Sequence, residues 1–571
     1  MADPAKVSEE YVQGLMQAGQ SVVHQFADAL TTMARQSPPS FGPSVLTQPF
    51  AGAAEMQQKY LEQIQNFWKS AMGWQVDREA PAKKPDPRFR SADWQHPAYD
   101  VLRQSYLAGA KLMNDIVNNA AVDEKTRMHL LFYARQYVDA LSPANYLATN
   151  PEAIRLAIET KGESLAAGLR NLIEDIRKGR ISTTNETAFE VGGNLAVTPG
   201  AVVYENELIQ LIEYAPLTDK VEKHPLLIIP PAINRFYILD LQPESSFVRY
   251  ALEQGNTVFL VSWRSATPEI GHLTWDDYLE LGIMTPIDVV RDIAKVDKVH
   301  MLGFCVGGTL LGCAAAVLKA KNEDKLLSLT FLTTMLEFTD TGEIGIMIDE
   351  PYVRGREMML GRGGVLPGKE LGFVFSTLRA NDLVWPYVVN NYLKGATPDA
   401  FDILYWNADS TNLAGPMYCW YIRNTYLENN IRVPGKTVQC GVPVDLSRID
   451  VPVYIFAARE DHIVPWRTAY ATAGLVGGDV RFTLGASGHI AGVINPPARK
   501  KRSHWIDGRL GSDPDEWLAS AQELPGSWWP DWSQWLKGQA TRAVPARKKL
   551  GSSRYRPIEP APGRYVKERD I

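Results

Sequence analysis

Three residues of this chain, each in an unusual setting, could together carry nucleophilic catalysis. Cys305 lies in Gly303-Phe304-Cys305-Val306-Gly307, between the apolar run KVHMLGF and the small-residue run VGGTLLGCAAAVLKA. This is the form of a nucleophile elbow, G-x-S-x-G, with sulfur in place of oxygen. The glycines allow a sharp bend, which lifts the side chain off the backbone. The helix that follows would lower a thiol's pKa through its dipole and free N–H groups. Asp461 follows the apolar run VPVYIFAA, and His489 follows VRFTLGA in the loop GASGHIAG. Nucleophile, acid and histidine therefore occur in the chain order that such elbows use. Glu460 and His462 flank Asp461 and could replace it; Asp461 is preferred because its place matches that of the orienting acid.

An acyl-transfer site also needs donors for the developing oxyanion. The N–H of Val306, next to the nucleophile, is one. The second belongs in the loop Pro230-Pro231-Ala232-Ile233-Asn234. Proline has no N–H, so Ala232 and Ile233 are the first available donors, and Ile233 is preferred. A thiol in this setting leans towards transfer from thioesters. Acyl exchange between two sulfurs costs little, and the acyl cysteine stays reactive enough to form an ester with an alcohol. Cys313, Cys419 and Cys440 read as buried structural residues. His300 lies in the strand before the elbow and reads as packing.

These residues require a sheet to hold them. From HPLLIIP onwards, short apolar runs alternate with helical patterns: ESSFVRYALEQG closed by Gly255, NTVFLVSW, WDDYLELGIMTPIDVVRDIAKV, KVHMLGF and LLSLTFLTTML. That alternation predicts an α/β fold, a mostly parallel sheet with helices on both faces. Phe189 to Pro216 alternates like antiparallel strands. Before it, residues 1–185 read as a separate, mainly helical domain, leaving 186–571 as the catalytic domain. Between about 337 and 450 the alternation lapses, and this long aromatic insert is expected to form a cap or lid. GRGGVLPG within it lacks the strand context of a phosphate loop. Glu55 to Gln75 spaces Met56, Tyr60, Ile64, Phe67 and Met72 at near-helical intervals, as in a helix packing on its own domain or a partner; the alternative is attachment to a partner or lipid-like surface. Trp528 to Trp535 holds four tryptophans and reads as a packing element. The last twenty residues read as an extended tail.

Composition excludes several classes. A net charge of −6 does not favour nucleic-acid binding. Four cysteines in 571 residues, without CxxC spacing, suggest neither a disulfide framework, nor zinc, nor a dithiol centre. No signal peptide or run long enough to span a bilayer is seen, which points to a soluble cytoplasmic protein.

The segments GFCVGGTLL, PPAINRFYILDLQPESS, LVSWR, NDLVWPYVVNNYL, REDHIVPW, LGASGHIAGVINPP and GSWWPDW resemble the single-subunit, class I type poly(3-hydroxyalkanoate) synthases, from about Asp86 to the C-terminus. The resemblance implies an α/β-hydrolase catalytic domain with a cap, an N-terminal domain and an active homodimer. It implies polymerisation of (R)-3-hydroxyacyl-CoA, short-chain such as 3-hydroxybutyryl-CoA, with release of CoA. Cys305 would carry the growing chain, His489 would act as general base, and Asp461 would orient it. The expected setting is the cytoplasmic surface of polyester granules, with the polyester chain and granule-associated proteins as partners. No cofactor, metal or prosthetic group is expected, coenzyme A being part of the substrate. Asn234, His462, Arg499 and Lys500 are candidate substrate contacts; the basic run Arg499 to Arg502 could meet CoA phosphates or be a solvated loop. The chain departs from many members in having Ala232 where they have cysteine, which disfavours a route through two thiols of one subunit. Two rival readings are a thioesterase or polyester depolymerase with the same triad, and a granule-coating scaffold with a dead site.

Overall fold

Six apolar runs of the sequence become neighbouring strands. In the computed structural model, which describes residues 86–568, the strands of the large sheet are β1 (Gly200–Glu205), β2 (Ile209–Tyr214), β3 (Leu226–Ile229), β4 (Val258–Trp263), β5 (Val299–Phe304), β6 (Leu326–Leu332), β7 (Val453–Ala458), β8 (Val480–Gly485), β9 (Ser503–Ile506), β10 (Gln522–Pro525) and β11 (Glu559–Pro560). They form one 11-stranded sheet in the order β10-β9-β8-β7-β6-β5-β3-β4-β2-β1-β11. The stretch β4-β3-β5-β6-β7-β8 is parallel. The flanking strands are antiparallel, including the β1–β2 hairpin that the alternation of Phe189 to Pro216 predicts. Expected and observed sheets thus agree in kind.

Burial on both faces explains why these strands are apolar throughout rather than alternating. Successive side chains still point to opposite faces. Leu227, Ile229, Met301, Leu329 and Ile455 join the core that includes the helix Val306–Ala320. Leu226, Ile228, Leu302, Phe304, Tyr454 and Phe456 join the core that holds Trp528, Trp529 and Trp532. Those tryptophans are fully buried, and Trp528 stacks on Phe456 with ring centroids 4.1 Å apart.

The chain divides into two units. One holds residues 86–181 together with Arg379–Pro398; the other holds Ser182–Leu378 and residues 399–568. The first is helical: Pro97–Asn118, Glu124–Ala140, Pro151–Glu159 and Glu163–Lys178. Arg379–Pro398 falls within the expected cap span of 337–450, yet it packs with these helices. Gly168 makes this possible, because any Cβ there would collide with the carbonyl of Tyr392. Asn171 then donates to the carbonyls of Asn391 and Ala396, both at 3.0 Å. The Tyr392 hydroxyl donates to Asp175 at 2.6 Å, and Lys394 pairs with Glu152 at 2.6 Å. The amphipathic stretch Glu55 to Gln75 lies outside the described residues. No helix among the described residues is long and apolar enough to cross a membrane.

The C-terminal segment is more than an extended tail. β11 pairs with β1, and Tyr565 and Val566 are buried.

Candidate functional site

Cys305 sits between the end of β5 and the helix Val306–Ala320, with φ 52° and ψ −127°. A non-glycine residue in that region is strained, and such strain persists only where the surroundings enforce it. The enforcement is visible. The Cys305 N–H donates to the Leu332 carbonyl at 2.9 Å, and its carbonyl accepts from the N–H groups of Gly308 and Thr309 at 2.8 and 3.2 Å. A Cβ on Gly303 would stand 2.5 Å from Gly308 Cα, and one on Gly307 would be 2.5 Å from the Pro230 carbonyl oxygen. The elbow glycines are therefore required by close backbone approach. The contact at Gly307 also brings the loop after β3, which carries Ile233, against the N-terminus that carries the Val306 N–H. Ile233 is half-buried and Ala232 fully buried.

Asp461 and His489 follow the ends of the adjacent strands β7 and β8. Their loops are joined by two backbone hydrogen bonds, Arg459 N–H to Gly485 at 2.8 Å and Glu460 N–H to Ser487 at 3.0 Å. Asp461 is held by its own turn, Oδ1 accepting from Ile463 and Val464 N–H at 2.8 and 2.9 Å. That leaves Oδ2 to meet His489 Nδ1 at 2.6 Å. The Asp461 side chain is 0% exposed, whereas Glu460 is exposed. The acid on the histidine is thus Asp461, and neither flanking residue replaces it. His489 opens the short helix His489–Val493, and the buried Phe304 ring stacks on its imidazole, centroids 5.5 Å apart. Trp528 and Trp529 fasten the same helix by donating to the carbonyls of Gly492 and Val493 at 3.0 and 2.9 Å.

The electrostatics follow from this burial. Desolvation opposes a charged imidazole at His489. The Asp461 carboxylate, hydrogen-bonded to Nδ1, and the charge of the Cys305 sulfur outweigh that cost and raise His489 to about 10. Burial pushes the Cys313 thiol up to about 12, Cys419 to about 11 and Cys440 to about 12. Those sulfurs are poor nucleophiles near neutrality.

The other candidates are distributed as follows. Asn234 Oδ1 accepts from the Arg235 N–H at 2.7 Å, so its amide oxygen serves its own loop. His462 is half-buried beside Asp461. Arg499 and Lys500 are exposed, in the turn Pro497–Arg499 and just after it, beyond the His489 helix. Two residues escape the sequence reading. Tyr421 and Tyr426, from the insert, meet edge-on at 5.7 Å, and Phe338 packs on Tyr426 at 5.1 Å. Burial raises the Tyr426 hydroxyl; the charges of Cys305 and Asp461 add to the effect and a hydrogen bond from Tyr421 opposes it. The only sequence signal for them is the aromatic richness of the insert.

A parallel sheet with a nucleophile on a strand–helix elbow, and acid and histidine on later strand ends, defines an α/β-hydrolase-fold protein with a Cys-His-Asp constellation. Residues 225–496 match the alpha/beta hydrolase fold family, and residues 85–251 match the family described as poly-beta-hydroxybutyrate polymerase (PhaC) N-terminus. The chain is 54% identical over 525 residues to the poly(3-hydroxyalkanoate) polymerase subunit PhaC of Cupriavidus necator, covering 90% of this chain and 88% of that one. It is 39% identical over 525 residues to the protein of the same name from Rhizobium meliloti (90% and 85% covered), and 40% identical over 526 residues to the poly(3-hydroxyalkanoate) polymerase of Methylorubrum extorquens (90% and 87%). This chain belongs to the poly(3-hydroxyalkanoate) polymerase family.

Proposed function

We propose that the protein polymerises (R)-3-hydroxyacyl-CoA, of short-chain type such as 3-hydroxybutyryl-CoA, through an acyl-Cys305 intermediate. One observation carries the reading: a strained elbow thiol whose charge helps hold a proton on a histidine, itself bound at Nδ1 by a buried carboxylate, in a chain 54% identical to a named polymerase. In the first half-reaction the Cys305 sulfur attacks the substrate thioester carbonyl. A new C–S bond forms, and the bond to CoA breaks. His489 holds the thiol proton and delivers it to the departing CoA sulfur. The N–H groups of Val306 and Ile233 stabilise the oxyanion. In the second half-reaction His489 takes the proton of an incoming 3-hydroxyl. The alkoxide oxygen attacks the acyl-Cys305 carbonyl, an ester forms, and the sulfur leaves to recover its proton from His489. Ala232 carries no thiol, so the scheme runs on a single sulfur per subunit. It uses no metal or prosthetic group, and chelators should leave turnover unchanged.

Tyr421 and Tyr426 form an aromatic wall for the acyl group. His462 is a further substrate contact in this scheme, and Arg499 and Lys500 are the groups for CoA phosphates. The protein acts as a homodimer in the cytoplasm, on the surface of polyester granules with their associated proteins, with residues 1–185 making granule and dimer contacts. The test is incubation with 3-hydroxybutyryl-CoA, following CoA release and turbidity. CoA release with growing turbidity, both lost in Cys305→Ala, supports the polymerase. CoA release with only free hydroxy acid would establish a thioesterase, and no release at all a scaffold with a dead site.

A further inference from the structure

The loop offered as the second half of the oxyanion hole is anchored from an unexpected place. Arg235, one residue beyond Asn234, is buried, its side chain 1% exposed. Its guanidinium donates to the carbonyl of Tyr565 at 3.1 Å and to that of Glu568, and it faces Asp409 at 3.5 Å. Asp409 is itself held by the Tyr237 hydroxyl at 2.8 Å, and Trp406 donates to the Arg235 carbonyl at 2.6 Å. Two of the acceptors are thus main-chain carbonyls more than 300 residues away in sequence.

The tail that supplies them is firmly held. Beyond β11, Gln210 Oε1 accepts from the N–H groups of Arg564 and Tyr565 at 3.1 and 3.2 Å. Arg564 pairs with Glu205 and Glu559, both at 2.8 Å, and the Tyr565 hydroxyl donates to Asn206 at 2.9 Å. Arg264 lies over the Tyr565 ring at 5.1 Å. A buried guanidinium is costly without partners, and the two carbonyls that Arg235 hydrogen-bonds both come from the tail, so the tail dictates where Arg235 sits. Arg235 in turn fixes a loop two residues from Ile233.

We infer that Arg235 and the C-terminal segment Glu559–Glu568 form a strut that positions the oxyanion loop, making Arg235 a positioning residue for acyl transfer. The inference rests on the polymerase reading above. A guanidinium is suited to the task because its fixed fork donates to two carbonyls at once while its charge faces the Asp409 carboxylate. A loop displaced by about 1 Å would weaken the N–H contact to the oxyanion while leaving Cys305, His489 and Asp461 in place.

The test compares wild type, Arg235→Met, Arg235→Lys and a chain ending at Arg564, which lacks both carbonyl acceptors. CoA release from 3-hydroxybutyryl-CoA is normalised to reactive thiol, and Cys305 alkylation by iodoacetamide is measured on the same samples. Arg235→Met and the shortened chain should each lose about 10- to 100-fold in kcat per reactive thiol, with KM changed less than about threefold and alkylation unchanged within about twofold. Arg235→Lys should recover a large part of kcat. Wild-type kcat per thiol in either Arg235→Met or the shortened chain would overturn the inference, as would alkylation falling in step with kcat, which would mean general collapse of the site. Failure of the polymerase reading looks different: wild type would release no CoA, or Cys305→Ala would release as much.

Discussion

Replacing Asp461 by asparagine tests the electrostatic core of the site. His489 is buried, and its titration nevertheless lies at about 10 against an ordinary 6.5. At about 1.4 kcal/mol per pH unit, that difference favours the imidazolium by about 5 kcal/mol, net of the desolvation that opposes it. Asp461 is the largest favourable contributor, with Cys305 second. Asparagine keeps the shape and can still accept from the Ile463 and Val464 N–H groups, but it removes the charge facing Nδ1. The high-pH limb of CoA release, set by loss of the imidazolium, should therefore move from near 10 towards 6.5 by one unit or more. The base also loses its orientation, so kcat should fall by about 10²- to 10⁴-fold. Stability follows the same linkage. A histidine raised in the folded state stabilises fully below the unfolded value of 6.5, and the contribution fades as pH rises through 10. Asp461→Asn should thus be less stable than wild type by a few kcal/mol at pH 7, with the deficit shrinking as pH rises from 7 to 10. The assays are the pH dependence of CoA release and urea unfolding at several pH values. Superimposable pH–rate profiles, or a kcat within about threefold of wild type, would refute the reasoning.

Three further outcomes are expected. Gly307→Ala forces a Cβ into the Ile229 and Pro230 carbonyls; overpacking against backbone should cost about 1–3 kcal/mol or more, and CoA release per reactive thiol should fall because the oxyanion loop must move. Trp529→Phe leaves the Val493 carbonyl without its indole donor and should cost about 1–3 kcal/mol in urea unfolding, with a larger fractional loss in kcat than in thiol alkylation. Asp240, fully buried beneath Thr198 and Ser246, is raised by desolvation to about 6. Its contribution is present below pH 4 and lost as pH rises through 6, so between pH 4.5 and 7.5 wild type should lose about 2 kcal/mol that Asp240→Asn does not. Parallel unfolding curves for the two proteins at both pH values would rule this out.

What could be read early was local. The strands announced themselves because a sheet buried on both faces needs unbroken apolar runs, as in Val299–Phe304 and Val453–Ala458. Gly303 and Gly307 announced the elbow because no other residue fits where backbone meets backbone. Tyr426 and Tyr421 stayed hidden, since an aromatic in an irregular insert carries no period and no fixed offset from the nucleophile. The tryptophan cluster read correctly as packing, but its service to the His489 helix depends on two indole N–H groups finding particular carbonyls.

By itself, the order of residues determined the kind of fold, the thiol on its bend, and the acid and histidine at later strand ends, because each is written in short-range steric and hydrophobic rules. Tertiary structure alone decided which of Glu460, Asp461 and His462 meets the imidazole, where residues 379–398 pack, and that the carbonyls of Tyr565 and Glu568 grip Arg235. Those outcomes depend on contacts between segments up to hundreds of residues apart, and a buried charge or carbonyl takes its partner from whatever the folded chain brings within about 3 Å.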